Sequence, residues 1–116
     1  MNCTAILNEI DIRVRKNESF KGSNVHFEKI QAYWELKKAC SALVQTAPCI
    51  KHMEEVPPGR DHRHAIIAVD IEGGGALTGN ALALFNQMRS LADDFTVLSR
   101  GLLTRYSFII MNVWED

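Results

Sequence analysis

No Cys-x-x-Cys pair, no G-x-S-x-G turn, no apolar run near membrane length and no excess of either charge occurs in this chain. Each absence removes a class of function. Cys3, Cys40 and Cys49 are odd in number and lack metal-site spacing, so reduced thiols in a cytoplasm are expected rather than a secreted disulfide framework. Cys40 reads as a small core residue. Met1 to Glu9 shows no basic stretch leading into an apolar one, so no export signal is expected. The longest apolar stretches have the length of a buried strand, far short of the ~20 residues of a membrane helix. No membrane partner is expected.

Thirteen Lys and Arg against fourteen Asp and Glu give a formal charge of −1, which offers no footprint for phosphate backbones. Nucleic acid is therefore not expected as a partner. Gly74 and Gly79 have the glycine spacing of a phosphate loop, but Asn80 and Ala81 stand where lysine and a hydroxyl residue belong. A dinucleotide fingerprint would need a third glycine at Thr78. Gly73 to Gly75 read as a flexible turn, and no cofactor is expected.

What is present fits one domain: 116 residues, 47% of them hydrophobic and 23% charged, are enough for one core and too few for two. Residues 1–116 are taken as a single α+β domain. Residues 5–15 alternate, with Ile6, Ile10, Ile12 and Val14 opposite Glu9, Asp11, Arg13 and Arg15, as in a half-solvated strand. A polar loop follows, with a helix cap at Ser23 or Asn24. Phe27, Ile30, Tyr33 or Trp34, Leu36, Cys40, Leu43, Val44 and Ala47 then recur at helical spacing until Pro48, with Lys29, Glu35, Lys37, Lys38 and Ser41 on the other faces. Cys49 to Val56 reads as a short edge strand, and Pro57-Pro58-Gly59 as a turn.

Residues 64–72, rich in Ile and Val, form the clearest strand. Leu77, Ala81, Leu84, Phe85, Met88, Leu91, Ala92 and Phe95 trace a second helix capped at Thr78. Residues 104–114 make a last strand, paired across Ser99-Arg100-Gly101 with a short strand at 95–99. The expectation is an α+β two-layer sandwich, a mainly antiparallel sheet with two helices on one face. Its element order resembles the βαββαβ series of ferredoxin-like domains, a likeness of order alone that names no activity.

The phase of each strand decides what faces what. Placing Ser107, Ile109, Met111 and Val113 toward the helices leaves Tyr106, Phe108, Ile110, Asn112 and Trp114 on the far side. Placing Ala65, Ile67, Val69 and Ile71 toward the helices leaves His64, Ile66, Ala68 and Asp70 there too. A far face that mixes aromatics with an imidazole, a carboxylate and an amide suits a homodimer interface or a small-molecule cavity. The candidate ligand-binding residues are thus His64, Asp70, Tyr106, Asn112 and Trp114, although core or interface packing is the plainer explanation of aromatics at such positions.

His62 and His64 could join Asp61, Asp70, His52, His26 or Cys49 around a metal, but their spacing matches no zinc pattern and no metal is expected. His64 and Asp70 stand about 20 Å apart along one strand, so they cannot form an acid/base pair by themselves. Catalytic residues stay unknown. The reading is a cytoplasmic, homodimeric small-ligand-binding domain. A cofactor-independent enzyme using general acid/base chemistry and a protein interaction module are the alternatives.

Overall fold

The computed structural model describes residues 25–59, 62–72 and 77–114. The strand expected over residues 5–15, its loop and Gly73 to Gly75 lie outside them. In chain order come helix α1 (Phe27–Thr46), strands β1 (Ile50–Val56) and β2 (Ala65–Glu72), helix α2 (Gly79–Leu91), and strands β3 (Asp94–Arg100) and β4 (Leu103–Ile110). The four strands form one antiparallel sheet in the order β1-β2-β4-β3. Both helices pack on the same side of it, giving an α+β two-layer arrangement. β4, last in the chain, sits beside β2 in the centre, the place a ferredoxin-like order gives to its first strand.

Register explains the core. Ala65, Ile67 and Val69 face Ile110, Phe108 and Tyr106 across the β2–β4 pair, and Phe108 faces Phe95 on β3. Directly paired residues project to the same face, so all of these meet the helices. There they pack with Ile30, Tyr33, Leu36, Cys40, Leu43, Ala81 and Met88. Ile67, Val69, Phe108 and Ile110 are fully buried.

This register corrects the expected phase of the last strand. Tyr106, Phe108 and Ile110 point inward and Ser107 and Ile109 outward, one residue out of step with the expectation. Both rows of β4 contain large apolar residues, so alternation alone does not settle which row is buried. The strand also stops at Ile110, because Asn112 takes a left-handed φ of 57° and turns the chain. Trp114 touches Val25 in an isolated bridge instead of extending β4.

Other boundaries moved for local reasons. α1 begins after His26 rather than at Ser23 or Asn24, and it is anchored by the His26 N–H donating to the Val113 carbonyl at 2.9 Å. α2 ends at Leu91, so Phe95 belongs to β3. Gly101, at φ 58°, supplies the positive φ needed in the two-residue connection between Arg100 and Leu103. Lys37, placed by its spacing off the apolar stripe of the helix, is 1% exposed because Glu55 points inward from β1 to meet it.

Candidate functional site

Three groupings of polar side chains stand out. The first is buried between α1 and β1, where the Tyr33 hydroxyl and the Lys37 ammonium both donate to Glu55 Oε1. Tyr33 and Lys37 lie one turn apart on α1, and Glu55 comes from the inward row of β1 beside Ile67. Glu55 Oε2 is buried without a hydrogen-bond partner. A cluster this enclosed ties helix to sheet and leaves little approach for a ligand.

The second lies on the outer face of the sheet. Arg105 on β4 reaches Asp70 through Nε to Oδ1 at 2.9 Å and Nη2 to Oδ2 at 3.0 Å, and Glu54 through Nη1 at 2.7 Å. Because Asp70 pairs directly with Arg105 and with His52, three strands contribute to one row. The bidentate Arg105 contact lowers the Asp70 pKa against the opposing effect of burial. Arg105 is in turn held more firmly protonated by Asp70 and Glu54. A carboxylate gripped in this way is a poor general base.

The third grouping forms where β4 leaves the sheet. The Asn112 N–H donates to His64 Nδ1 at 3.0 Å, and the Val113 and Trp114 N–H groups both donate to the Arg63 carbonyl, at 2.9 and 3.1 Å. The Met111 N–H donates to Asp93 Oδ2 at 2.9 Å, and Lys29 Nζ donates to the same oxygen at 2.8 Å. Burial favours the neutral form of Asp93, but the Lys29 and Met111 bonds outweigh it and lower the pKa. Segments before α1, before β2, before β3 and after β4 are thereby pinned together.

Beside this junction a cavity of about 460 Å³ opens, lined among the described residues by His26, Phe27, Glu28, Lys29 and Asn112. α1 has no side-chain cap, and its first internal bond runs from Ile30 N to His26 O. The N–H groups of Phe27, Glu28 and Lys29 thus precede the intrahelical ladder. His64 accepts at Nδ1, which leaves Nε2 to carry its proton in the neutral ring. The nearby His62 ring stands edge-on to it at 6.3 Å, with Nδ1 buried and without a partner.

Of the five residues singled out from sequence, this junction brings three together. His64 and Asn112 are hydrogen-bonded, and Trp114 follows two residues later against Arg63. Asp70 lies toward the opposite end of β2 on the outer face. Tyr106 lies on the helix side, its ring 5.2 Å from Phe85 and 6.0 Å from Phe95. Tyr106, Phe108 and Ile110 therefore cannot line an outer-face cavity or a dimer interface there.

Sequence reasoning missed His26, Phe27, Glu28 and Lys29 as cavity residues. Nothing in their spacing marks them, since they meet Asn112 only through the return of β4 to the start of α1. It also missed Arg105 as the centre of the outer-face network. Asp70, the first charged residue after the apolar run Ala65 to Val69, reads as outward, but its partner depends on the β2–β4 register. Among the described residues no three His, Cys, Asp or Glu side chains gather around a point fit for a metal. No described helix is long and apolar enough to cross a membrane. Comparison of the chain with protein-family models, with curated proteins and with solved structures finds no match.

Proposed function

We propose that the chain is a homo-oligomeric, cytoplasmic small-ligand-binding domain whose ligand sits at the first turn of α1. The supporting observation is the cavity of about 460 Å³ beside the β4 exit, which is of small-molecule size. Phe27 supplies an apolar wall, while Lys29, the Asn112 side chain and the leading N–H groups of α1 supply polar anchors. Ligands with a flat apolar body and one acceptor group fit that chemistry. The partial positive charge at a helix start favours an acceptor there.

The junction is well suited to hold such a site in shape. Asn112 is fixed through its backbone to His64, and Lys29 through Asp93, so neither must be ordered when a ligand arrives. A thermal-shift screen of metabolite-sized compounds tests the reading. Hits should lose most of their stabilising effect in Asn112→Ala and Lys29→Met and keep it in His52→Ala on the outer face. Hits unaffected by both cavity variants would refute the placement.

A further inference from the structure

β3 closes one side of the described sheet with no strand beyond it. Such an edge exposes backbone donors and acceptors, and proteins commonly protect it with lysine, proline or a covering element. Asp94-Phe95-Thr96-Val97-Leu98-Ser99-Arg100 contains neither residue. Val97 is 54% exposed and Leu98 52%, so apolar side chains are exposed on both faces of the strand. Leu102, at the hairpin tip, is 81% exposed. Two exposed faces beside a backbone edge that no described strand pairs with leave an apolar ribbon in water.

The direction of the free backbone groups follows from one contact. The Phe95 N–H takes Asp94's own Oδ1 at 2.8 Å, which marks it as pointing off the sheet. By the two-residue repeat of a strand, the N–H groups of Val97 and Ser99 point the same way. Asp94 and Arg100, at the two ends of β3, are about 20 Å apart along the strand and cannot pair within one chain. Neither forms an ion pair with any other described residue.

From these features we infer that β3 is the surface by which two copies of this chain join, antiparallel about a two-fold axis at Val97. This rests on the homo-oligomeric part of the function proposed above and gives it a location. In that register Asp94 faces Arg100 of the second copy at both ends, Phe95 faces Ser99, and Thr96 faces Leu98. Val97 faces its own copy, with its backbone aimed across the axis. Val97 and Leu98 gain cover, each end gains an opposite charge, and the two described sheets become one of eight strands. The sequence of β3 is thus self-complementary in the antiparallel sense, as a two-fold contact requires.

Light scattering after size exclusion, with the whole chain at tens of micromolar, tests this. The unmodified chain should elute as a dimer. Val97→Pro removes an outward N–H that β4 does not use and should yield a folded monomer, with the circular dichroism of the parent. Asp94→Lys and Arg100→Glu each set like charges opposite one another twice, so each should weaken dimerisation at least about tenfold. Mixed in equal amounts, the two charge variants should form a heterodimer, because Lys at 94 then meets Glu at 100 while native Asp94 meets native Arg100. The mixing arm decides the matter if Val97→Pro disturbs β3 itself. A monomeric parent chain would overturn both the edge contact and the homo-oligomeric reading. A dimer that survives all three substitutions would overturn the edge contact alone, leaving association through another surface. A mixture that stays monomeric would overturn the antiparallel register.

Discussion

Arg105 holds Asp70 by two parallel hydrogen bonds, Nε to Oδ1 at 2.9 Å and Nη2 to Oδ2 at 3.0 Å, across the central pair of strands. Asp70 is 8% exposed, so removing the guanidinium leaves a mostly desolvated carboxylate with no equivalent donor. Arg105→Met should destabilise the chain by about 1–3 kcal/mol in urea unfolding. Asp70→Asn should cost less, since the amide still accepts from Arg105. Equal costs would mean that stranding the Asp70 charge adds nothing beyond the loss of the charged pair.

Acid should weaken the fold through Asp70 and Asp93. Both have pKa values below the ordinary 3.8, Asp70 through Arg105, and Asp93 because its Lys29 and Met111 bonds outweigh burial. A carboxylate whose folded pKa is depressed stabilises the native state above its unfolded pKa. That contribution fades as pH falls through the folded value. Stability measured by urea unfolding should therefore decline from about pH 4 downward. Asp93→Asn should flatten part of that decline. An unchanged slope in the Asp70→Asn, Asp93→Asn double variant would assign the acid sensitivity to other groups.

Lys37 and Glu55 form an ion pair whose side chains are both 0% exposed. Lys37→Met should cost about 3–5 kcal/mol by leaving the Glu55 charge buried without its cation. Adding Glu55→Leu should recover part of that loss, because it removes the desolvated charge although it also costs the Tyr33 hydroxyl its bond to Glu55. Denaturant titration of the single and double variants measures the difference. A double variant as unstable as Lys37→Met would point to a packing role for the lysine stem.

Phe108 lies within the aromatic cluster, 5.4 Å from Phe85 and 5.1 Å from Phe95, and is fully buried. Phe108→Ala should cost about 3–5 kcal/mol by opening a cavity there. Phe108→Asp should unfold the chain rather than dissociate an oligomer. A folded, monomeric Phe108→Asp protein would restore the idea that this ring belongs to an interface.

How far the sequence could be read depended on whether the signal was local. Ile67 and Val69 lie in a strand marked by its run of Ile and Val, and Pro48 ends α1 for a reason internal to the backbone. The pairing of 95–99 with the last strand followed from the glycine at the turn. The phase of β4 did not, because Tyr106, Phe108 and Ile110 compete with Ser107, Ile109 and Met111, and only contact with β2 selects between them. Burial of Lys37 was hidden for a similar reason: its partner Glu55 comes from a different element. The junction at Asn112 was partly legible. His64, Asn112 and Trp114 were singled out by chemistry, whereas the first turn of α1 joins them only through tertiary contact.

The most direct test of the account is an amide-resolved NMR titration of the chain with the strongest compound from the thermal-shift screen. Binding at the proposed seat should shift the signals of Phe27, Glu28, Lys29 and Asn112 first and most, with His64 following through its bond to the Asn112 N–H. Lys29→Met should weaken the titration. Shifts confined to the row of His52, Glu54, Asp70 and Arg105, with the first turn of α1 silent, would contradict the account and move the site to the outer face of the sheet.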